Sequence, residues 1–461
     1  MRDAVAVLDI GKTNVKVVCF DDAGAVLFER SGPNRPVPAP PYLHADTEAI
    51  WAFLIRALRE AAAACRISAI VPTTHGCAGA FVDDSGLVLP VLDYEEPHVE
   101  EISADYAAIR PPFSETLSPP LPFGLNQGRQ IAWQMRTFPE AVARAKNYLT
   151  YPQYWAWRLS GVAAGEVTML GAHSDLWAPK ANAPSSLVPA LGLTRLLAPM
   201  RPSWARIGTL KPEIADQVGV SAGTPVISGA HDSNASLLPH LASRAAPFTV
   251  VSTGTWVILM AVGLGVERLN PADDMLANVD VEGRPTACGR FMGGREFAQV
   301  VASLHGDGPR APTQESVARV MASGALALPS FSGQGGPFAA RKGAIVGDVA
   351  PQDAAALATL YVALMTNLML ERLGATSGDV IVEGSFAANP MFAALLQAMR
   401  PDANVSSSGD SAGTARGAAL LARWPVRLTP PHGEPAERID WGPALAAYRA
   451  RWSAEVEGPR G

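Results

Sequence analysis

AVAVLDIGKTNVKVVCF (4–20) and FTVVSTGTWVILMAV (248–262) are two renderings of one pattern. Each runs from an apolar, β-branched stretch through a tight turn of Gly and small polar residues into a second apolar stretch. That is the signature of a β-hairpin with its polar groups gathered at the turn. Gly11 and Gly254 lie 243 positions apart, about half of the 461-residue chain. The repeat predicts two similar halves, each offering one hairpin turn. Glycine removes the Cβ and opens the backbone N–H groups, so such turns suit the wrapping of phosphate oxygens.

The composition narrows the partners. Hydrophobic residues make up 48% of the chain and charged residues 17%, with a net charge of −6. This is ordinary for a globular protein and leaves no basic stripe for a nucleic-acid backbone. Cys19, Cys65, Cys77 and Cys288 are scattered without a CxxC pair, which predicts a reducing compartment and neither a disulfide frame nor a zinc site. The first strand starts within a few residues of Met1, and no uninterrupted apolar run reaches about 18 residues. The expectation is a soluble cytoplasmic protein with no membrane partner.

Strand and helix patterns alternate along the chain. A helical pattern at 47–65 is followed by a strand at 67–71 that ends in Thr73, Thr74, His75 and Gly76. Strand-like segments at 79–82 and 87–92 come next, the second running into Asp93, Tyr94 and Glu95. Residues 126–146 and 152–160 read as helices. Residues 215–235 read as a helix end, a buried strand and a Gly stop before His231 and Asp232. The longest helical pattern, 352–373, has apolar residues at three- and four-residue spacing. Residues 379–390 are a strand broken by a small-residue turn, 415–422 a close-contact helix of small residues, 425–437 a linker and 441–455 a terminal helix. The alternation predicts an α/β fold with a hinge near 236–247. The expected domains are 1–240, 241–425 and a linker with terminal helix at 426–461.

Gly11-Lys12-Thr13 is not the end of a P-loop. That motif needs a Gly five residues before Gly11, where Ala6 stands, and it leads into a helix rather than a strand. What remains is Asp9 at the end of an apolar strand, followed by Gly11, Lys12, Thr13 and Asn14. An ordinary surface hairpin uses the same residues. A buried carboxylate, however, needs a partner, and a hydrated Mg²⁺ is a natural one. Asp232 repeats the logic after its own buried strand, flanked by Gly229, Ala230 and Ala235; its plain alternative is a helix N-cap shared with Ser233. Ser252, Thr253, Gly254 and Thr255 supply hydroxyls and amides without charge. At Gly384, in the turn from Glu383 through Ser385 to Asn389, a flat ring can approach the backbone, and the helix N-terminus beyond can face phosphate. His75, His173 and His231 share no metal-binding spacing. They suit a polyol, beside Asp93, Glu95, Gln127 and Arg129. Trp155, Trp157 and Trp177 read as core, with stacking of one of them on a sugar face as the alternative.

Taken in order, DxGxTxxK (Asp9 to Lys16), the Thr-His-Gly strand end, GxxDxxA (Gly229 to Ala235), the Ser/Thr-Gly-Thr turn and the late glycine turn with Asn resemble the FGGY family of carbohydrate kinases. The resemblance runs from about residue 4 to residue 423. It implies two ribonuclease-H-like domains of the actin-like ATPase superfamily, with an interdomain cleft where ATP and a sugar meet. It further implies Asp232 as catalytic base, Asp9 and Asp232 on Mg²⁺, and phosphate contacts from Gly11, Lys12, Thr13, Asn14, Lys16, Ser252, Thr253, Gly254 and Thr255. Gly384, Ser385 and Asn389 fall on the adenosine motif. His75, Gly76 and Asp93 fall toward the sugar, with Gln127, Arg129, His173, His231 and Asp232. Lys12 departs from the family's usual Thr, and Glu383-Gly384-Ser385-Phe386 from its run of glycines. Segments 165–177 and 291–297 look closer to the rhamnulose- and fuculose-kinase side than to glycerol kinase. The implied reaction is γ-phosphoryl transfer from MgATP to a ketose such as L-fuculose, L-rhamnulose or xylulose, by an enzyme that family analogy makes a homodimer. The alternatives are an actin-like or chaperone-type ATPase and a catalytically silent sugar-binding regulator.

Overall fold

Both hairpins form. In the computed structural model, which describes residues 1–305, 311–409, 413–430 and 433–458, the strand Asp3–Ile10 pairs antiparallel with Asn14–Phe20. Along its other edge it runs parallel to Arg66–Thr74. The strand Phe248–Thr253 repeats the arrangement, antiparallel to Val257–Val262 and parallel to Asp379–Gly384. The internal repeat is therefore a three-strand device and not only a turn.

The chain divides into two units. The first holds Met1–Ser243, Ala277–Pro285 and Ala412–Pro430; the second holds Arg244–Leu276, Thr286–Ser411 and Pro431–Gly461, each in its described parts. The division thus falls at 243/244, and two later stretches return to the first unit instead of staying with the second half of the sequence. Of the expected linker and terminal helix, residues 431, 432 and 459–461 lie outside the described residues.

In the first unit the sheet runs, edge to edge, Arg206–Thr209, Pro225–Ile227, Arg66–Thr74, Asp3–Ile10, Asn14–Phe20 and Val26–Pro33, with the short strand Ala230–His231 also on Arg66–Thr74. The helices Thr47–Ala64 and Tyr151–Ser160 bury apolar residues against it, so Leu8, Val17, Leu58, Ile70 and Trp155 have no exposure. Asp46 caps the first of these helices by accepting from Ala49 N–H. The segment 87–92 is strand only at Gly86–Leu87, because Pro90 has no N–H to give to a ladder. Residues 126–146 break at Phe138 into Gln127–Thr137 and Pro139–Ala143, where Pro139 starts a new helix more readily than it continues one.

The second sheet, whose edge strand Met275–Val279 passes from the second unit into the first at Ala277, has the order Met275–Val279, Pro285–Phe291, Val257–Val262, Phe248–Thr253, Asp379–Gly384, Val405–Ser408 and Glu434–Pro435. The helix Ala354–Leu373 has no polar side: all but Glu371 and Arg372 are buried. Its sequence had suggested an amphipathic element. Surrounded on every face, it needs no polar stripe. Together with the preceding turn it is long and apolar enough to cross a membrane, and its whole apolar window is buried inside the protein.

Candidate active site

The strand order of the first unit brings three chain ends to one place. Asp9 is the last residue but one of Asp3–Ile10, His75 follows Arg66–Thr74, and Asp232 follows Ala230–His231, which lies beside Thr73 and Thr74. Parallel strands ending together at one edge of a sheet form the usual ligand position of open α/β sheets.

Here the charge of one carboxyl reaches another. Burial, and then the charge of Asp232, push the Asp9 pKa up to about 6, against the pull of Lys16. Burial raises the Asp232 carboxyl as well, while His75 and the Ser233 N–H oppose the rise. Asp232 begins the helix Asp232–Ser243. Its Oδ1 accepts from Ser233 N–H at 2.6 Å and lies 3.2 Å from His231 Nε2. Burial holds His231 down to about 4, so that ring is neutral and the contact is not an ion pair. Asn234 Nδ2 lies 3.4 Å from His231 Nδ1. Among the described residues nothing donates to Asp232 Oδ2. The side chain is 31% exposed, so this oxygen is left for an incoming group.

The backbone before Asp232 is locked from behind. His231 N–H donates to Thr168 Oγ1 at 2.9 Å, and that hydroxyl donates to Glu166 Oε2 at 2.6 Å. Glu166 also accepts from Thr168 N–H, Met169 N–H and the Ser203 hydroxyl, all in the interior. Segment 165–177 stood out in the sequence, but nothing there marked Glu166 and Thr168 as supports of residue 231. Thr168→Val removes one hydroxyl and strands two buried partners, so it should lower stability by about 1–3 kcal/mol. Thr168→Ser should restore most of the loss. Chemical denaturation reads both, and an unperturbed Thr168→Val protein would remove the network from this role.

His75 sits at the wall of the site. Its ring packs on Tyr151 with centroids 5.3 Å apart and meets Tyr94 edge-on at 5.9 Å, and burial lowers its pKa. Gly76 gives His231 its room, since a Cβ there would lie 2.8 Å from Nε2. His173 Nδ1 donates to Leu125 O at 2.9 Å, and Cys77 Sγ lies 3.5 Å from the same nitrogen. Sequence reading passed over Tyr94 and Tyr151 as wall residues.

Three expected site residues are engaged elsewhere. Gln127 is 1% exposed, and its Nε2 donates to Ala78 O and Tyr148 Oη, each at 2.8 Å. Arg129 ties the loop at 121–123 by donating to Leu121 O and Phe123 O, with Ser103 and Glu100 beyond. The Gln127 amide and the terminal nitrogens of Arg129 spend their donors inside the protein. Lys12, expected on phosphate, turns to the end of segment 87–92. Its Nζ donates to both carboxylate oxygens of Asp93, lies 3.2 Å from Glu95 Oε2 and stands 4.3 Å from the Tyr94 ring centroid. The turn itself closes by Gly11 N–H to Asn14 O at 2.9 Å and is braced by Asn34 Nδ2 to Gly11 O at 2.7 Å. Lys16 lies opposite Asp9 on the neighbouring strand.

The second unit builds its own half. Gly254 N–H donates to Trp256 O at 2.8 Å, with Gly254 and Thr255 exposed and Ser252 half-buried. Thr253 is buried instead. Its hydroxyl donates to Glu383 O and accepts from Phe386 N–H at 2.8 Å, so it ties this turn to the next. Gly384 has φ +80° and ψ −148°, and a Cβ there would stand 2.0 Å from Thr253 O. Only glycine fits. Ser385 is exposed, and Asn389 caps the helix Pro390–Met399 while donating to Thr359 Oγ1 at 3.0 Å. Where a glycine run was missing, Phe386 packs on Phe297 and Phe392 at 5.4 and 5.1 Å. Beside it is a cavity of about 350 Å³ lined by Gly294, Phe297, Pro312, Ser385, Phe386 and Asn389. A flat aromatic base suits such walls.

Asp9 and Asp232 fit a magnesium ion. No cluster of three or more His, Cys, Asp or Glu with metal-binding geometry occurs among the described residues. Mg²⁺ needs none, since it keeps most of its waters and takes one or two carboxylates plus substrate phosphate. Two half-buried carboxyls, each raised in pKa, are a donor set that a divalent cation relieves.

The profile described as "FGGY family of carbohydrate kinases, N-terminal domain" matches residues 4–239, and "Carbohydrate kinase FGGY, C-terminal domain" matches 245–430. L-fuculokinase of Salmonella typhi is 31% identical over 268 residues, 56% of either chain. That of Escherichia coli K12 is 27% identical over 271 residues, again 56% of each. The aligned part thus spans a little over half the length of these relatives. Among solved structures, a carbohydrate kinase from Novosphingobium aromaticivorans is 36% identical, with TM-score 0.91 over 99% of both chains. A xylulose kinase from Rhodospirillum rubrum shares the fold at 18% identity, with TM-score 0.78 over 98% of this chain and 97% of its own. The two sheet-rich units thus have the actin-like ATPase fold.

Proposed function

Because the chain belongs to the FGGY family of carbohydrate kinases, we propose that it transfers the γ-phosphoryl group of ATP to a hydroxyl of a sugar. The observation that carries this reading is Asp232, whose Oδ1 is held by Ser233 N–H and lies beside His231 while Oδ2 stays open. The sugar oxygen attacks the γ-phosphorus, the bond to the β,γ-bridging oxygen breaks, and ADP leaves. Asp232 Oδ2 takes the hydroxyl proton as attack develops. Its raised pKa makes it a better acceptor than an ordinary surface carboxylate.

The first unit supplies the acceptor side. His75, Asp93 and His173 bind hydroxyls, and the turn closed by Gly11 and Asn14 gives the backbone N–H groups of Lys12 and Thr13 to phosphate. The second supplies the nucleotide side, through the exposed turn at Ser252, Gly254 and Thr255 and through Gly384, Ser385 and the Phe297–Phe386 cavity. Such a reaction asks a protein mostly for positioning and electrostatics. Asp9 and Asp232 would hold a hydrated Mg²⁺, which when bound offsets phosphate charge.

The likeness to L-fuculokinases favours a ketose as acceptor. A coupled ADP-release assay with L-fuculose, L-rhamnulose and xylulose should show sugar-stimulated turnover that chelation abolishes and Mg²⁺ restores. Equal ADP release without sugar would point to an ATPase, and none with any sugar to a silent binding protein. Either result would overturn the reading.

A further inference from the structure

Resting on the kinase reading above, we propose that Lys12 is a substrate-side positioning residue. It holds Asp93 and Glu95 as paired acceptors for the hydroxyls of an uncharged sugar, and it does not bind phosphate.

The geometry around its ammonium is already complete. Nζ meets both oxygens of Asp93, lies 3.2 Å from Glu95 Oε2, and stands over Tyr94 at 4.3 Å. An ammonium has three N–H donors, and two carboxylates and an aromatic face account for its surroundings. To reach a phosphate it would have to abandon Asp93, whose side chain is 8% exposed. Leaving a buried carboxylate without its cation is costly.

Asp93 is itself held in place. Its N–H donates to Leu43 O at 3.0 Å, its carbonyl accepts from Glu96 N–H at 3.0 Å, and its Oδ1 accepts from Glu95 N–H at 2.9 Å. Lys12 thus docks onto a preformed turn. Through Tyr94 the cluster continues to His75 and Tyr151, so the lysine stands at one end of the wall that leads to Asp232. One ammonium between two carboxylates leaves a net negative charge. Such a wall accepts hydrogen bonds from hydroxyls and repels a carboxylate substrate. The backbone of the first turn remains the phosphate element, and its one long side chain serves the other substrate.

The test starts from a sugar that stimulates ADP release by the unaltered protein. If none does, the kinase reading fails on its own account. With such a sugar in hand, Lys12→Met should raise its KM about tenfold or more, the loss expected of a charge-assisted contact. ATP affinity measured by calorimetry without sugar should stay within about twofold. Asp93→Asn should raise the same KM, and the double variant should add little, because both changes dismantle one pair. Lys12→Arg, which keeps the charge, should recover most of the sugar affinity and guards against simple misfolding. A Lys12→Met protein with weakened ATP binding and unchanged sugar KM would overturn the proposal. So would one with both constants unchanged, or turnover of D-gluconate comparable to that of the neutral sugar.

Discussion

Asp232→Asn should cut kcat by about 10²–10⁴-fold, the range a positioned general base contributes, while ATP binding survives. Asn has the same shape and keeps an oxygen for Ser233 N–H, beside His231 Nε2. What it loses is the ability to take a proton at the second position. A coupled assay gives the rate and calorimetry the nucleotide affinity. Turnover near that of the unaltered protein would remove Asp232 from the base role, and loss of ATP binding alone would make it a nucleotide ligand instead.

The second large effect concerns packing behind that residue. The helix Gly413–Leu420 lies against Asp232–Ser243, and a Cβ at Gly417 would stand 1.8 Å from Ala235 O and 3.1 Å from Pro239 Cδ. A backbone carbonyl cannot step aside as a side chain can. Gly417→Val should therefore cost about 3 kcal/mol or more, the upper range of overpacking. For a unit of this size that is roughly 6–12 °C in the unfolding midpoint. The displaced helix carries Asp232 at its first position, so activity should fall with stability. A variant that melts at the original temperature would show that the two helices do not pack as described.

The hairpins and the acid-ended strands were legible because their causes are local. β-branched runs, glycine turns and a carboxyl after an apolar strand are all written within a few residues. What escaped were partners distant in sequence. Lys12 finds Asp93 81 positions away, and His231 finds Thr168 63 positions away; no periodicity encodes either meeting. Gln127 and Arg129 have the chemistry of sugar ligands, and only burial shows that their donors serve Ala78 and the loop at 121–123. The helix Ala354–Leu373 misled for a related reason. Its spacing fits an amphipathic helix, and what encloses it on all sides comes from elsewhere in the chain. The small residues of 415–422 did announce a close contact, but not that its partner was the helix after Asp232.

That partnership sets an order of events on the ribosome. Domains generally fold as they emerge, the N-terminal one first. Here the leading body lacks one of its helices until the chain has passed through most of the second unit, because Gly413–Leu420 belongs to it. A nascent chain stalled after Ser243 would present the unpaired flank of the Asp232 helix to whatever chaperone or neighbour is at hand. Packing behind Asp232 is thereby tied to the synthesis of a helix far downstream of it.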